Sequence, residues 1–374
     1  MRNILKNRKR IVIKIGSSLL TDAQGKIKSA HFKRIVKQVA ALVEKKYQIV
    51  LVSSGAIAAG LDLLGLKKVP VQIHQKQAIA AAGQITMMRE YEKAFAKHQI
   101  KVAQILLDRD DLADRYRFLN ARHTITQLLK YQLIPIINEN DTVSVEEIKF
   151  GDNDNLSALV TNLVEADLLV ILTDIDGLYT SDPRVDAKAS RISVLEELSE
   201  TAFSYASGTL RVGSTGGMQT KLEAAVKACH FGVPTVIASG NDPEVLHKIL
   251  LKEDVGTLIL PKAGADRVAA RKHWIAYMGS VAGTLVVDEG AKLVLLKQGK
   301  SLLPSGIKAI TGNFQIGDCV EITVAGEGPF ARGLTSYSSE EVAKLKGCKT
   351  SEIQNCLGYK YSDEIIHRDD LVLL

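Results

Sequence analysis

The sequence of 374 residues predicts a three-layer α/β/α sandwich with a mostly parallel sheet, followed by a small β-rich domain. Segments typical of strands and of helices alternate from residue 9 to about residue 260, and such alternation is typical of parallel sheets. The strand segments are almost continuously apolar, as expected for strands that helices cover on both faces. Near residue 262 the pattern changes to short β-prone runs that are broken by glycine.

Six strands are predicted in the first domain, and helical patterns lie between them. The strands are 11–15, 48–53, 101–107, 133–138, 167–173 and 234–238. The helical patterns are 29–46, 55–64, part of 71–98, 116–132, 154–164 and 217–231. The second domain is predicted to have strands at TLVVD, AKLVLL, GIKAITG, DCVEITV and ARGLTSY, short helices near 339–356 and a last strand near residue 370. The predicted limits are 1–262 for the first domain, 263–277 for a connector and 278–374 for the second domain.

Composition and charge favour an intracellular protein that handles an anion. No apolar run approaches the ~18 residues of a membrane span, and the first residues do not form a signal peptide. The four cysteines form no C-x-x-C pair, so we expect free thiols and a cytoplasmic location. Residues 1–262 contain 35 Lys and Arg against 29 Asp and Glu, whereas residues 263–374 contain 13 of each kind. The excess positive charge of the first part suits a nucleotide better than a nucleic acid.

Three glycine-containing turns in the first domain each follow a predicted strand or open a helix. They are KIGSS (14–18), SSGAIAAG (53–60) and GSTGGMQTK (213–221). Glycine lets the backbone approach a phosphate, and successive amides bind anions. Neither a Walker A sequence nor G-x-G-x-x-G is present in these turns, which disfavours P-loop and Rossmann sites. A single turn would be explained as structural, but three in one domain, two of them with a lysine, indicate phosphate binding.

The segment 138–160, NENDTVSVEEIKFGDNDNLSALV, concentrates polar residues after a predicted strand. The polar residues that stand out are Asn138, Glu139, Asn140, Asp141, Asp152, Asn153, Asp154 and Asn155. Capping of the following helix accounts for one or two of them. The others suit the ammonium and the carboxylates of a small amino acid. The segment TDIDGLYTSDPR (173–184) follows the next strand, where it forms either a plain turn or a nucleotide contact.

These motifs together resemble the amino-acid kinase family, and within it the members that phosphorylate the side-chain carboxylate of free glutamate. The resemblance rests on Lys-x-Gly-Ser-Ser, SSGAIAAG, INEND, FGDNDNLSA, TDIDGLYTSDPR and GGM-x-T-K. The C-terminal part resembles a PUA domain in VDEGA, SLLPSGIKAITGNF, ARGLTSY and EIIHRDD. The resemblance covers nearly the whole chain. It implies the amino-acid kinase fold and the ATP-dependent conversion of L-glutamate to L-glutamyl 5-phosphate, the first step of proline biosynthesis.

The resemblance also implies roles for individual residues. Lys14 and Lys221 would contact the transferred phosphoryl group, and Asp154 would orient both lysines as the third catalytic residue. Ser54, Asp141 and Asn153 would bind glutamate. The residues expected to bind the nucleotide are Lys14, Thr173, Asp174, Thr215, Gly216, Gly217, Met218, Gln219, Thr220 and Lys221. ATP and Mg²⁺ are the implied cofactors, with Mg²⁺ arriving on ATP and no metal ligand assigned to the protein.

The chemistry of such a reaction agrees with these residues. A γ-carboxylate with a pKa of ~4.3 is ionised at neutral pH, so it attacks without a general base. Phosphoryl transfer then depends on alignment and charge neutralisation, which lysines and backbone amides provide. Two alternatives stay open: another acid kinase of the same fold, acting on aspartate, N-acetylglutamate or carbamate, and an RNA-binding PUA protein. The zero net charge of 263–374 disfavours the RNA partner.

Further expectations concern regulation and partners. The resemblance implies inhibition by proline, which shares the zwitterionic head of glutamate but lacks the γ-carboxylate. The segment 108–120, DRDDLADRYRFLN, is either a solvated loop with a helix start or a flap that closes over the amino acid. We also expect a homo-oligomer, no membrane association, and a separate glutamyl phosphate reductase that receives the product.

Overall fold

The computed structural model describes residues 2–6, 8–22, 24–143, 153–181, 183, 185–186, 188–196, 217–261 and 281–374. The chain divides into two compact units, one built from 1–113 and 121–265 and the other from 114–120 and 266–374. The predicted connector at 263–277 lies outside the described residues, so the domain limits that the sequence suggests stay a prediction.

An eight-stranded sheet forms the centre of the first unit. Its strands are β1 (Arg10–Ile15), β2 (Gln48–Ser53), β3 (Val102–Leu107), β4 (Ile134–Glu139), β5 (Leu168–Thr173), β6 (Val194–Leu195), β7 (Thr235–Ser239) and β8 (Thr257–Ile259). The order across the sheet is β3-β4-β2-β1-β5-β7-β8-β6. All neighbouring strands run parallel except β7 and β8. The mostly parallel sheet that the sequence predicts is therefore confirmed.

Helices cover both faces of this sheet. In the described part of the chain before residue 262 they are α1 (Ser29–Glu44), α2 (Ala56–Leu64), α3 (Ile73–Ala96), α4 (Arg109–Ala113), α5 (Arg115–Lys130), α6 (Asn153–Leu163), α7 (Met218–His230) and α8 (Val245–Leu250). Apolar side chains of α1, α3 and α8 form one core with one face of the sheet. Helices α6 and α7 pack against each other and against the central strands on the other face. This arrangement is the predicted three-layer sandwich.

Strand β1 shows how the sheet separates core from chemistry. Ile11, Ile13 and Ile15 point into the core that α1 and α3 cover. Because successive side chains of a strand point to opposite faces, Lys14 faces the side of α6 and α7. Its position near the carboxyl end of β1 explains why a lysine interrupts an otherwise apolar strand.

Two glycines let α2 and α3 pack backbone against backbone. A Cβ atom on Gly83 would lie 1.9 Å from the Ala56 carbonyl oxygen and 2.3 Å from the Gly60 nitrogen. A Cβ atom on Gly60 would lie 1.9 Å from the Ile79 carbonyl oxygen. No side chain fits at either position without separating the helices, so the two glycines set the position of α3.

The second unit contains a five-stranded sheet of order β10-β9-β11-β12-β13. Its strands are β9 (Val281–Val287), β10 (Ile307–Gly312), β11 (Cys319–Val324), β12 (Ala331–Leu334) and β13 (Leu371–Leu373). The helices are α9 (Glu289–Gln298), α10 (Ser339–Leu345) and α11 (Ile353–Leu357). A core that includes Leu285, Phe314 and Tyr337 lies beneath them. The small β-rich domain of the prediction is confirmed.

One predicted strand of the second unit is wrong, because AKLVLL (291–296) lies inside helix α9. The Asp288 carboxylate accepts a hydrogen bond from the Ala291 amide at 2.8 Å and so caps the start of the helix. Gly299, with φ of 56°, ends it in the left-handed conformation. Leu295 is buried while Leu293 and Leu296 are exposed, so only one side of this apolar run is buried. Among the described residues, no helix is long and apolar enough to cross a bilayer.

The contact between α2 and α3 gives a stability prediction. Gly83→Ala forces a methyl group into backbone atoms, and overpacking of this kind lowers the free energy of unfolding by about 1–3 kcal/mol or more. We expect a melting temperature several degrees lower by circular dichroism. Gly290→Ala in α9 is the matched control, because its Cβ would meet nothing closer than the Asp288 Oδ1 atom at 3.4 Å. Equal melting temperatures for the Gly83 variant and the wild type would show that the two helices separate freely.

Candidate active site

The candidate site lies where parallel strands of the first unit end together. Strands β1, β2, β4 and β5 are neighbours or near neighbours in the sheet, and Lys14 of β1 is in register with Val52 of β2 and Ile171 of β5. In parallel sheets the carboxyl ends of the strands share one edge, which is where ligands bind. Most of the predicted functional residues lie in the turns and helix starts at this edge.

A buried ion-pair cluster occupies the centre of the site. The Nζ atom of Lys14 lies 2.6 Å from Oδ1 of Asp154, and the Nζ atom of Lys221 lies 3.1 Å from Oδ2 of the same carboxylate. The Thr220 hydroxyl donates a further hydrogen bond to Oδ2 at 2.8 Å. The side chain of Asp154 is 1% exposed and those of the two lysines are 7% exposed. One strand (β1) and two helices (α6 and α7) are thus joined through one carboxylate.

The charges of this cluster set the protonation of Asp154. Burial alone raises the pKa of Asp154, but the Coulombic attraction of Lys14 and Lys221, with hydrogen bonds from Lys14 and Thr220, lowers the pKa well below its usual range. The pairing therefore stabilises the folded state fully above pH ~4, the ordinary pKa of an aspartate, and is lost only as pH falls through the lower folded-state value. With two ammonium groups and one carboxylate, the cluster keeps one excess positive charge for an anion.

The start of α7 carries the described part of the predicted nucleotide loop. Gly217 precedes the helix, and its carbonyl oxygen accepts hydrogen bonds from the Thr220 hydroxyl at 2.9 Å and from Lys221 Nζ at 3.3 Å. Met218 is buried, whereas the Gln219 side chain donates to Glu223 one turn further along the helix, at 3.2 Å. The free amides at the N-terminus of this 13-residue helix attract phosphate. The other two predicted loop residues, Thr215 and Gly216, lie outside the described residues.

Thr173 and Asp174 lie at the end of β5, beside the end of β1. The Thr173 hydroxyl donates to Oδ1 of Asp174 at 3.1 Å, and the Thr173 carbonyl oxygen accepts from the Gly240 amide at 2.8 Å. Thr173 is buried, and Asp174 is partly exposed. This pair lies at the same edge of the sheet as Lys14, on the β5 side of β1, whereas β2 lies on the opposite side of β1.

On the other side of β1, side-chain amides form a continuous network. The Asn153 Nδ2 atom donates to the Ser54 hydroxyl at 2.9 Å, to the Ser53 carbonyl oxygen at 3.1 Å and to Asn138 Oδ1 at 2.9 Å. Asn138 in turn donates to Gln84 Oε1 at 2.7 Å. Asn138, Asn153 and Gln84 are all buried. Because Asn153 immediately precedes Asp154 in α6, the amide network and the ion-pair cluster are adjacent.

Some of the predicted site residues contact each other directly, and others only lie at the same edge of the sheet. The structure joins Lys14, Asp154 and Lys221 in one cluster and places Ser54 against Asn153. Asp141 is half-buried two residues beyond the end of β4, at the same sheet edge. Sequence reasoning missed Gln84, whose only signal is that it is a polar residue on the apolar stripe of α3 that includes Ile79, Ala80, Gly83 and Met87.

This geometry suits transfer of an anionic group to a small polar acceptor. Two ammonium groups and a helix start can neutralise charge on a phosphoryl group, and the adjacent amides can align the acceptor. The ion-pair cluster consists of two lysines, one aspartate and one threonine, and none of these residues is a histidine. The site therefore fits an acceptor that is already ionised.

The comparisons with known proteins agree with this site. Residues 9–239 match the Amino acid kinase family, and residues 283–357 match the PUA domain. The chain is 51% identical over 373 residues to a protein named Glutamate 5-kinase from Pelobacter propionicus, covering 100% of both chains. It is 50% identical over 365 residues to the Glutamate 5-kinase of Caldanaerobacter subterraneus subsp. tengcongensis, covering 98% of both. The Glutamate 5-kinase of Geobacter sulfurreducens is 51% identical over 371 residues, with 99% of both covered.

Two solved structures of UMP kinases show a distant likeness to part of the chain. The UMP kinase from Bacillus anthracis aligns with a TM-score of 0.48 and 19% identity, covering 68% of this chain and 97% of that protein. The full-length relatives are far more similar and cover both units. Together with the family match over residues 9–239, they show that the chain belongs to the amino acid kinase family and, within it, to the glutamate 5-kinases.

Proposed function

We propose that this protein transfers the γ-phosphoryl group of ATP to the γ-carboxylate of L-glutamate and so forms L-glutamyl 5-phosphate, the first step of proline biosynthesis. The observation that carries the proposal is the buried Lys14–Asp154–Lys221 cluster beside the amide network of Asn153. The full-length relatives named Glutamate 5-kinase support the same activity.

In this proposal the protein's groups act mainly by alignment and charge. The γ-carboxylate attacks in its ionised form, so no residue has to remove a proton. Each of the two oxygens of Asp154 pairs with one lysine, Oδ1 with Lys14 and Oδ2 with Lys221, and this pairing fixes the positions of both ammonium groups. From these positions both lysines contact the transferred phosphoryl group. Their charge is most useful when negative charge is spread over the phosphoryl oxygens in the transition state.

ATP would lie along the ends of β1 and β5 and over the start of α7. We assign its phosphates to Lys14 and to the loop residues Thr215–Lys221, and we assign further nucleotide contacts to Thr173 and Asp174. When bound, Mg²⁺ neutralises phosphate charge. Both oxygens of Asp154 already contact ammonium groups, so this carboxylate is a poor metal ligand. We therefore expect Mg²⁺ to enter already coordinated by ATP.

Glutamate would occupy the amide side of the site. We assign its binding to Ser54, Asp141 and Asn153, of which Ser54 and Asn153 contact each other at 2.9 Å. We expect proline to compete there, because it has the same ammonium and α-carboxylate but no γ-carboxylate to react. Residues 109–113 of the proposed flap form α4, and reciprocal backbone-to-carboxylate hydrogen bonds join Asp108 and Asp111. Closure of this segment over the amino acid stays a prediction.

The wider setting is also part of the proposal. The acyl phosphate product reacts readily with water, so we expect a separate glutamyl phosphate reductase to consume it. We expect a cytoplasmic location, where the four free cysteines would stay reduced. The end of α2 and the segment leading to α3 carry exposed apolar residues, namely Leu63, Leu64, Leu66, Val69 and Val71. An apolar surface of this kind is consistent with the homo-oligomer that we expect.

The activity is tested by incubating the protein with ATP, Mg²⁺ and L-glutamate in the presence of hydroxylamine, which traps an acyl phosphate as a hydroxamate. Aspartate, N-acetylglutamate and bicarbonate with ammonia serve as alternative acceptors. Hydroxamate formed with glutamate alone is the expected result. ADP release with another acceptor, and none with glutamate, would assign the protein to a different acid kinase.

The two lysines should act on turnover more than on binding. We expect Lys14→Ala and Lys221→Ala each to lower kcat by roughly 10²–10³-fold, because each removes a charge that acts on the transition state. Lys248→Ala is the control, since Lys248 also pairs with an aspartate, Asp242 at 2.7 Å, but outside the site. Steady-state kinetics with both substrates measure the effect. Near-normal kcat in either lysine variant would remove that lysine from the mechanism.

The substrate side can be separated from the nucleotide side at Asn153. Asn153→Ala removes the donor that contacts Ser54 and Asn138. We expect the KM for glutamate and the inhibition constant for proline to rise together by roughly 10-fold, while the KM for ATP changes little. Initial rates over a proline series at several glutamate concentrations give the KM for glutamate and the inhibition constant for proline, and a separate ATP series gives the KM for ATP. If the inhibition constant for proline stays unchanged while the KM for glutamate rises, proline binds at a separate site.

A further inference from the structure

We propose that Gln84 of α3 binds the α-carboxylate of the amino-acid substrate and so sets specificity for a free α-carboxyl group. The inference deepens the proposed function and rests on it, because it concerns the same acceptor site. Its basis is the direction of the hydrogen bonds in the amide network, which leaves one donor and one acceptor unused.

The direction of the network is fixed by a backbone atom. The Ser53 carbonyl oxygen can only accept, so the Asn153 atom that contacts it at 3.1 Å must be the donor Nδ2. That atom also lies 2.9 Å from Asn138, which must therefore present Oδ1 to Asn153 and Nδ2 to Gln84. Gln84 consequently receives this hydrogen bond on Oε1, at 2.7 Å. Its amide orientation follows from the chain of contacts, with Nε2 as the remaining group.

The network thus ends in two unused polar atoms. Among the described residues, neither Gln84 Nε2 nor Asn153 Oδ1 has a hydrogen-bond partner, although both atoms are buried. Gln84 and Asn153 are each only 7% exposed. Buried polar groups are normally paired, and leaving one unpaired is unfavourable. A donor and an acceptor held in one network match the α-carboxylate and the α-ammonium of an amino acid.

The position of Gln84 in the fold indicates that it binds the α-carboxylate of glutamate and not the γ-carboxylate, which reacts. Asn138 lies on β4, and β2 separates β4 from Lys14 on β1. Neighbouring strands are about 4.8 Å apart, so the Gln84 end of the network is the end away from the phosphoryl group. In glutamate the α-carbon is two methylene groups from the γ-carboxylate, which directs its ionised α-carboxylate towards this end.

The helix that carries Gln84 is held rigidly. Gly83, the preceding residue, packs against the Ala56 carbonyl oxygen and the backbone of Gly60 with no room for a side chain. Tyr91 of the same helix lies 2.8 Å from the Ser53 hydroxyl. Gln84 is therefore fixed in position, and its Nε2 atom binds only a substrate group that accepts a hydrogen bond at that point.

The test uses calorimetric binding of two ligands that differ only at the α-carboxyl group: L-glutamate and its 1-amide. Gln84→Glu keeps the acceptor for Asn138 but replaces the donor with a carboxylate oxygen. We expect the Kd for L-glutamate to rise roughly 10- to 100-fold, because two carboxylates would face each other. The Kd for the 1-amide should stay within about threefold or fall, because the amide can donate to the new carboxylate.

Gln75→Glu is the matched control, since Gln75 lies on the same helix but is exposed, and it should leave both Kd values unchanged. Gln84→Met, which has a similar volume and no donor, should also weaken L-glutamate binding more than binding of the 1-amide. A Kd ratio that stays within about threefold of the wild-type ratio in both Gln84 variants would overturn the assignment. Wild-type protein that binds glutamate but forms no hydroxamate would contradict the proposed function and leave this binding test intact.

Discussion

The pairing of one buried carboxylate with two ammonium groups is the constraint on which the rest of the site depends. Asp154, Lys14 and Lys221 come from three separate elements, and each is almost fully buried. A buried charge that loses its partner destabilises a protein by about 3–5 kcal/mol. Strand β1 and helices α6 and α7 therefore cannot shift independently, and the two ammonium groups stay in place before any substrate arrives.

This constraint extends to the substrate side through the chain itself. Asn153 precedes Asp154 in α6, so fixing the carboxylate also fixes the amide that contacts Ser54 and Asn138. Gln84 is placed independently, by the close backbone contact of α3 with α2. In the proposed mechanism, acceptor and phosphoryl donor are thus positioned by two different packing arrangements that meet at the carboxyl ends of β1, β2 and β4. Such preorganisation lowers the entropy that alignment would otherwise cost in the reaction.

Much of this could be predicted from the sequence, because the local signals were strong. Apolar strands that end in glycine-containing turns predict the parallel sheet. Lys14 stands out as a site residue because it interrupts an apolar strand at its carboxyl end. Other features do not follow from the composition of their own segment. AKLVLL has a β-like composition, yet the cap at Asp288 and the left-handed Gly299 make it a helix. Gln84 shows no motif, because its significance comes from Asn138, 54 residues away in the chain.

We infer that Asp154 acts by holding the two lysines in place, and the kcat of Asp154→Asn tests this role most directly. Asparagine has the same shape but cannot balance two ammonium charges. We expect a kcat lower by roughly 10²-fold or more, with KM values for ATP and L-glutamate within about threefold of wild type. Thermal melting would establish that the variant is folded. A folded Asp154→Asn protein with nearly normal kcat would show that Asp154 does not act on catalysis through the two lysines.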